Sequence, residues 1–356
     1  MTSKEVRGGN KILVNKFVYE VRPPKRWEVI VFKFPRTPWK NYIKRLVGLP
    51  GDRVEVRNGD VWIDGRLERK PDEVQDAIWL PTHDARFPRK DGRPAWELVE
   101  DDAHPLAKSD PPSWEGLAEG RQLTVRGADT PWAELWKGVR DDVGYNTGWS
   151  SRHDSEAVAD LRVRATVTGS EGSVVRLAIA ESYEELGRTR TRVVSVSIPV
   201  GPADRTEQGV YQLEVDGQPP QPPRGAPALR AGVPAAVALC YSDDRARLVV
   251  NGRTILSWED PYGPEQTTRG TARLGGSGEV TFVDPCVDRD VHYVNGYGSF
   301  DPSDHEVEVP AGSYFALGDN SPSSQDGRTW GFLREGHLVG RAFLVFWPFD
   351  GAKRVR

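Results

Sequence analysis

The stretch NYIKRLVGLPGDRVEVRNGDVWIDG, residues 41–65, carries the pattern that decides the fold. In its second half Val54 and Val56 alternate with charged residues, and Asn58-Gly59 is the favoured two-residue turn of a β-hairpin. Its first half, YIKRLVGL, is β-branched and aromatic and is closed by a Pro-Gly turn pair. With the runs KILVNKFVYEV and EVIVFKF before it, the stretch predicts an antiparallel, meander-like β unit.

Lys44 is an unusual residue for such an apolar strand, because lysine is almost never fully buried without a partner. Strand alternation places Tyr42 and Lys44 on one face and Ile43 and Arg45 on the other, so the two faces cannot both be simple core. The ordinary outcome is a lysine that packs its stem against the sheet and extends its amine to solvent. A lysine on the covered face would instead have a lowered pKa, which makes it a usable general base near neutral pH.

Length and composition favour a mostly β protein. The chain has 356 residues, enough for two domains, and its 36 Gly and 28 Pro residues with few helical patterns are typical of turn-rich β proteins. Lys plus Arg (48) nearly balances Asp plus Glu (52), so there is no general electrostatic case for nucleic-acid binding. No run approaches the roughly 18 apolar residues of a membrane helix, and the start MTSKEVRGGNK lacks a signal-peptide core. We therefore expect this chain by itself to be soluble.

The middle of the chain has a different pattern from its two ends. Residues 73–155 are rich in Pro, Asp and Trp and are expected to form long structured loops, after which short alternating strands follow. These strands and the hairpin DDRARLVVNGRTI resemble laminin-G-like or concanavalin-like jelly rolls over about residues 120–285. The expected fold is a β domain split into residues 1–72 and 288–356, interrupted by an inserted region, residues 73–287, that carries a jelly-roll-like β-sandwich.

Three details of the middle region have alternative interpretations. The segment QPPQPPRGAP is expected to be an extended, polyproline-like loop. Cys240 and Cys286 could form a disulfide, and the sequence leaves their pairing and the redox compartment open. A group of tryptophans is explained either by burial in a core, the more common outcome, or by a binding surface: Trp79, Trp96, Trp114, Trp132, Trp136 and Trp149.

A second stretch, GSYFALGDNSPSSQDGRTWGFL at residues 312–333, gathers polar residues in a loop after a strand. By itself it predicts a turn-rich loop with an ion pair between Asp326 and Arg328. The polar and turn-forming residues of the loop are Gly318, Asp319, Asn320, Ser323, Ser324, Asp326 and Arg328.

Together the two stretches resemble the bacterial type I signal peptidase family. YIKRLVGLPGD matches the family strand that bears a general-base lysine, and GDNSPSSQDGRTWGF matches its Gly-Asp-Asn, Ser-x-Asp-x-Arg and Trp-Gly-Phe pattern. The resemblance covers about residues 9–66 and 290–347. It implies a signal-peptidase-type β catalytic domain and a serine–lysine dyad, a variant of the nucleophile-plus-base arrangement.

The resemblance also implies a role for each matching residue. Lys44 falls on the general base, and Ser324 falls on the serine that hydrogen-bonds and orients the lysine amine. Asp326 and Arg328 fall on the pair that holds the loop carrying this serine.

Tyr42 and Ile43 are implied to bind the substrate, an extended segment of a secretory precursor with small side chains before the cleavage site. The implied location is the cytoplasmic membrane, with the catalytic domain on its extracytoplasmic side. No cofactor is implied, and the six histidines lack metal-ligand spacing, so no metal is expected.

The nucleophile of the family is missing from this sequence. The family motif is Ser-Met-x-Pro-Thr, whereas the single methionine here is Met1. Ser3 lies close to the expected position but has none of the motif's neighbours, which is typical of an ordinary N-terminal serine. We expect the nucleophilic serine and the membrane anchor to lie upstream of this chain, and the chain alone to be inactive.

Two other functions remain as alternatives. In the first, the sandwich is a binding module for a glycan or a protein, presented on a catalytically dead peptidase platform. The second, a self-cleaving repressor-type protease with the same dyad, fits poorly because no helix-turn-helix segment precedes the catalytic part.

Overall fold

The chain divides into two compact units, and the predicted mostly β fold with a split domain is confirmed. Unit 1 comprises Met1–Ile78 and Val291–Arg356, and unit 2 comprises Trp79–Asp290. The compact inserted unit thus covers Trp79–Asp290, and the domain bounds predicted from the sequence stay a prediction. The computed structural model describes residues 11–87, 92–99, 113–128, 130–141, 155–261, 267–294, 300–303, 305–347 and 353–355.

The first part of unit 1 contains β1 (Lys11–Asn15), β2 (Val29–Phe34), β3 (Thr37–Gly48), β4 (Arg53–Arg57), β5 (Asp60–Ile63) and β6 (Arg66–Leu67). Unit 2 contains β7 (Leu80–Asp84), β8 (Trp96–Val99), β9 (Trp114–Glu115), β10 (Gln122–Gly127), β11 (Trp132–Leu135), β12 (Leu161–Gly169), β13 (Val174–Glu185), β14 (Arg188–Gly201), β15 (Gln208–Val215), β16 (Arg224–Pro227), β17 (Leu229–Arg230), β18 (Ala235–Ser242), β19 (Arg245–Val250), β20 (Arg253–Glu259) and β21 (Thr267–Arg289). The second part of unit 1 contains β22 (Val307–Glu308), β23 (Ser313–Leu317), β24 (Leu333–Arg334), β25 (Leu338–Trp347) and β26 (Lys353–Arg354). The helices are α1 (Val18–Val21), α2 (Asp72–Ile78) and α3 (Gly327–Trp330), with 3₁₀ turns at Ser321–Ser323 and Glu335–His337.

The main sheet of unit 1 has the strand order β1-β25-β2-β3-β23-β24, and β26 pairs with β25. β3 therefore lies between β2 and β23, where Lys44 is opposite Ile30 and Arg45 is opposite Leu317. Ile30 and Leu46 belong to the apolar core under this sheet. The strand that carries the predicted base is thus an interior strand of the sheet.

A second, smaller antiparallel sheet of unit 1 has the order β22-β4-β5-β6. It contains the predicted hairpin, in which Val54 pairs with Ile63 and both are buried. Asn58 and Gly59 have φ values of 52° and 85°, as a type I′ turn requires.

Two predictions for the start of unit 1 are wrong. The first strand ends at Asn15, whose Oδ1 accepts a hydrogen bond from the Phe17 N–H (3.0 Å), and Val18–Val21 forms α1. Such a local side-chain acceptor competes with the strand ladder. The strands also do not form a simple meander, because β25 lies between β1 and β2.

Unit 2 is organised around β21, which has 23 residues. The first half of β21 pairs with β13, and the second half pairs with β12. The ladder continues as β16-β15-β14-β13-β21-β12-β18-β19-β20. β15 and β20, far apart in this order, are in contact, so the sheet folds over on itself as a sandwich. The alternation predicted for β12 is confirmed by its buried side chains, Leu161, Val163, Ala165 and Val167.

The loops predicted for residues 73–155 contain more regular structure than expected, since α2 and the strands β7 to β11 fall there. The Pro-rich segment is likewise only partly a loop, because Arg224–Pro227 pairs with β15 as β16. Of the tryptophans in this group, Trp79, Trp96, Trp114 and Trp132 are buried, and Trp136 is half-buried. Trp149 lies outside the described residues.

The two cysteines are buried and form no disulfide. Cys240 lies on β18 and Cys286 on β21, and β12 pairs with both strands and separates them. Two strand spacings place their Cα atoms roughly 9.5 Å apart or more. A disulfide needs less than about 7 Å, so these cysteines do not pair.

Candidate active site

The structure brings Lys44 and Ser324 into direct contact across 280 positions of sequence. Lys44 is half-buried on β3, and the half-buried Ser324 directly follows the 3₁₀ turn Ser321–Ser323. The Lys44 Nζ donates a hydrogen bond to the Ser324 Oγ at 2.6 Å. The predicted base and the predicted orienting serine therefore share one site.

The surroundings of Lys44 favour its neutral form. Burial lowers the pKa of Lys44 from its ordinary value, because the covered site disfavours the charged ammonium. The Arg328 guanidinium also lowers this pKa, whereas the Asp326 and Asp319 carboxylates raise it. Since the net direction is downward, the neutral amine is populated at a lower pH than in an exposed lysine, as a general base requires.

Asp326 ties the end of β23 to the start of α3. The Asp326 carboxylate is completely buried; its Oδ2 accepts the Gly318 N–H (3.0 Å), and its Oδ1 accepts the Arg328 N–H (3.3 Å). The Arg328 guanidinium pairs with it through Nε to Oδ1 (2.9 Å) and Nη2 to Oδ2 (2.7 Å). A bidentate pair of this kind fixes the orientation of both side chains. The ion pair predicted from sequence is thus formed in the interior of unit 1.

Arg328 also fixes the turn that precedes Ser324. Its Nη2 donates to the Ser321 carbonyl (2.9 Å), and its Nη1 donates to the Ser321 Oγ (2.8 Å) and to the Val294 carbonyl (2.6 Å). The Ser321 Oγ in turn accepts the Val294 N–H (3.0 Å). Arg328 therefore acts on Ser324 through the backbone just before it.

Gly318 leaves the space that the contact between Lys44 and Ser324 occupies. A Cβ at this position would lie 2.0 Å from the Ser324 Oγ and 3.0 Å from the Lys44 Nζ. The first distance is far below van der Waals contact, so any larger residue displaces the serine. The Gly of the Gly-Asp-Asn motif is thus explained by packing.

Sequence reasoning missed the role of Arg45. Its guanidinium is buried and pairs with Asp319 through Nε to Oδ1 and Nη2 to Oδ2, both at 2.8 Å. Its Nη1 donates to the Trp27 carbonyl (2.8 Å), and Trp27 has a φ of 70°, which is unusual for a bulky residue. A signal was present in the sequence, since Asp319 is the acid of the Gly-Asp-Asn motif and Arg45 follows the predicted base.

A cavity of about 360 Å³ in unit 1 opens beside the pair. Ile43, Lys44, Ser323 and Ser324 are among its lining residues. Tyr42 is not among the described residues that line it.

The Tyr42 ring packs on the aromatic core instead, stacked on Phe34 with 4.4 Å between ring centroids. The substrate contact predicted for Tyr42 stays a prediction. Ser3 lies outside the described residues. Within the described part of the chain, no helix has the length and apolar character that crossing a membrane requires.

The family model for signal peptidase, peptidase S26, matches residues 2–91 and 238–347, more than half of the chain. Signal peptidase I of Bacillus caldolyticus is 35% identical over 66 residues, which are 18% of this chain and 35% of that protein. Signal peptidase I of Pseudomonas aeruginosa is 42% identical over 72 residues, which are 17% of this chain and 25% of that protein. The chain therefore spans between a quarter and about a third of the length of these curated relatives.

Two solved structures resemble part of the chain at low scores. A Bacillus subtilis protein of unknown function with a galectin-like fold has a TM-score of 0.31 at 12% identity, covering 55% of this chain and 87% of its own. The carbohydrate binding module CBM66 from Bacillus subtilis has a TM-score of 0.30 at 9% identity, covering 55% and 96%. These scores support no inference about a ligand.

Proposed function

This chain belongs to the signal peptidase, peptidase S26, family, and from that premise we propose that it is the lysine-bearing part of a serine endopeptidase that removes signal peptides from secretory precursors. The observation that carries the proposal is the 2.6 Å contact between the Lys44 Nζ and the Ser324 Oγ, in a site that lowers the pKa of the lysine. This pair lies at the positions that match the family motifs.

In the proposed mechanism the neutral Lys44 amine takes the proton of a nucleophilic serine, whose oxygen attacks the scissile carbonyl carbon. The resulting ammonium then protonates the leaving amine of the precursor. Ser324 orients the Lys44 amine during both transfers. Asp326 and Arg328 hold the loop of Ser324 and touch no reacting atom.

The proposed substrate segment lies extended next to β3. Ile43 is 39% exposed and lines the cavity beside the base, which suits contact with a small side chain of the precursor. The volume of about 360 Å³ favours small residues before the cleavage site. We include Tyr42 in the same proposal: its backbone on β3 contacts the substrate segment, while its ring stays stacked on Phe34.

The nucleophilic serine of the proposal comes from a segment upstream of this sequence, because the sequence contains no Ser-Met pair. The proposed membrane anchor lies in the same segment and holds the catalytic unit on the extracytoplasmic side of the cytoplasmic membrane. This chain alone is then proposed to cleave no precursor.

The test is cleavage of a secretory precursor by the protein extended with the segment its gene encodes ahead of Met1. We expect cleavage at the signal peptide, abolished by Lys44→Ala, with Lys40→Ala on the same strand as the matched exposed control. An in-frame stop codon immediately upstream, or an extended protein with an intact Lys44 that cuts nothing, would contradict the proposal.

A second candidate, a binding module for a glycan or a protein, is favoured by a cavity of about 310 Å³ in unit 2. Arg164, Thr166, Ala236 and Asp284 are among its lining residues, which combine charged and hydroxyl groups with a small apolar surface. Retention of the chain on a glycan array, lost in Thr166→Tyr, would support this function. Equal retention of both proteins would contradict the use of this cavity.

A further inference from the structure

A second cavity of unit 1, with a volume of about 910 Å³, adjoins the cavity beside the base. Arg354 and Val355 line both cavities, so the two spaces meet where β26 ends. The described residues that line this basic cavity include five cationic side chains, Arg22, Lys25, Arg26, Arg341 and Arg354.

Two of the five cations are neutralised by carboxylates. Arg22 binds the buried Glu28 through Nη2 to Oε1 (2.5 Å) and Nη1 to Oε2 (3.3 Å). Arg26 pairs with Asp52 (2.7 Å) and with Glu68 (3.1 Å). These two arginines therefore contribute little uncompensated charge to the basic cavity.

The other three cations have weaker compensation. Lys25 and Arg354 are exposed, and no carboxylate of the described residues forms an ion pair with either of them. The Arg341 Nη1 lies 3.5 Å from the Glu28 Oε1, while the Arg341 Nε is buried and has no hydrogen-bond acceptor in the described part of the chain. A buried donor without an acceptor is unfavourable, so a ligand that supplies an acceptor stabilises it. Glu73, exposed on α2, offsets one of the three charges and leaves the cavity positive.

The register of the main sheet gives the distance between the base and the basic cavity. Lys44 is opposite Ile30 on β2, and Ile30 is opposite Arg341 on β25. Two strand spacings therefore place the Cα atoms of Lys44 and Arg341 roughly 10 Å apart. An extended chain covers this distance in about three residues. A polypeptide that continues past the base therefore reaches the basic cavity within a few residues.

The positive charge of the cavity decides which part of a precursor fits it. A signal peptide has a positively charged start, an apolar middle and small residues at the cleavage site. A cationic cavity repels the first part and offers no ion pair to the other two. The residues after the cleavage site carry no such restriction, and acidic side chains there are attracted to Lys25, Arg341 and Arg354.

We propose that the basic cavity binds acidic side chains of the precursor that lie about three to six residues after the cleavage site. This inference rests on the proposed peptidase and adds a preference among its substrates. Because Lys25 and Arg354 are exposed, each ion pair contributes modestly and is screened by salt. The cavity therefore selects local negative charge rather than one exact sequence.

The test is binding of dye-labelled peptides to the chain itself, measured by fluorescence anisotropy. One peptide has Ala-Gln-Ala before the cleavage site and three aspartates at the fourth to sixth positions after it, and the second has asparagines at those positions. We expect the aspartate peptide to bind about 5–10-fold more tightly at low salt. This difference should vanish near about 0.5 M salt. Placing the aspartates before the cleavage site should also abolish it.

Variants of the two exposed cations locate the preference. Lys25→Gln and Arg354→Gln should each reduce it by about 2–3-fold and leave the affinity for the asparagine peptide unchanged. The double variant Lys25→Glu/Arg354→Glu should instead prefer a peptide with lysines at the three positions. Lys40→Gln is the matched control and should keep the preference, because Lys40 is an exposed cation on β3 and is not among the lining residues of either cavity.

Three results would overturn the inference. The first is equal or unmeasurable binding of the aspartate and asparagine peptides. The second is a preference for aspartate that persists in Lys25→Glu/Arg354→Glu. The third is binding of phosphatidylglycerol vesicles, lost in the same double variant, by a chain that shows no preference for the aspartate peptide; this result would assign the cavity to an anionic membrane surface.

The inference and the proposed peptidase fail separately. Peptide binding uses the chain as it is and requires no cleavage. If the extended protein cleaves precursors but neither it nor the chain distinguishes aspartate from asparagine after the cleavage site, only the inference is overturned. If the chain prefers the aspartate peptide but the extended protein cleaves nothing, only the proposed peptidase is overturned.

Discussion

Gly318→Ala tests directly whether packing at the end of β23 holds the Lys44–Ser324 contact. The added Cβ would lie 2.0 Å from the Ser324 Oγ, 2.7 Å from the Ser324 Cβ and 3.0 Å from the Lys44 Nζ. The Gly318 N–H is bonded to the buried Asp326 carboxylate (3.0 Å), so the backbone at this position has little freedom to move away. The serine must therefore rotate or shift, and its hydrogen bond to the lysine breaks.

The magnitude follows from three contributions. Overpacking of this kind costs about 1–3 kcal/mol, and the lost hydrogen bond adds about 1 kcal/mol. Against these, replacing glycine by alanine stabilises by about 0.4–1 kcal/mol through the unfolded chain. We expect the free energy of unfolding of unit 1 to fall by about 1–3 kcal/mol.

The assay is chemical denaturation combined with hydrogen exchange of a peptide covering residues 313–330. Gly336→Ala is the matched control, because Gly336 is exposed and a Cβ there meets nothing within 4 Å. The control removes the contribution of the unfolded chain, so the difference between the two variants reports the clash. If Gly318→Ala matches Gly336→Ala in unfolding free energy and in exchange of this peptide, the packing argument is refuted.

Three further outcomes are expected. Asp326→Asn removes the charged partner of a buried guanidinium and should lower the free energy of unfolding by about 3–5 kcal/mol. The control Glu306→Gln breaks an exposed ion pair and should lower it by less than about 1 kcal/mol. Similar losses of unfolding free energy in the two variants would contradict this prediction. Burial raises the pKa of Glu181 to about 7, so between pH 4.5 and about 7 the folded chain binds more protons than the unfolded chain. The free energy of unfolding should therefore fall as pH rises through this window. Glu181→Gln should remove that pH dependence, and an unchanged pH dependence would exclude Glu181 as its source. Cys240 and Cys286 should both be alkylated in denaturant without a reducing agent. In the folded chain both should be protected from alkylation, and burial there raises the pKa of Cys286 to about 12. A mass of the intact protein two hydrogens below that of the reduced protein would show a disulfide instead.

The parts of the fold that sequence predicted are those determined by neighbouring residues. The Asn58-Gly59 hairpin depends on two residues that accept positive φ, and the burial of β12 depends on alternation within one strand. The parts that failed depend on distant segments or on a single side chain. No local pattern predicts that β25 lies between β1 and β2, and the end of β1 coincides with a hydrogen bond from the Phe17 N–H to the Asn15 side chain.

The candidate site divides in the same way. Lys44, Ser324, Asp326 and Arg328 could be selected because their motifs match a family, and the ion pair between the last two is local. The pairing of Arg45 with Asp319 was not predicted. The alternation of residues along a strand indicates on which face a side chain lies, but not which distant carboxylate it contacts. Only the three-dimensional order of β3 beside β23 supplies that information.

That order gives β3 two functions in one site. Lys44 contacts the serine of the loop, while the next residue, Arg45, binds Asp319 at the start of the same loop. Because successive side chains of a strand point to opposite faces, a slip of one residue in the pairing of β3 would move the base away from Ser324 and the guanidinium away from Asp319 together. The half-buried ion pair of Arg45 with Asp319 and the buried pair of Asp326 with Arg328 therefore hold the loop at both of its ends. The register of β3 that brings Lys44 to Ser324 is also the one that brings Arg45 to Asp319.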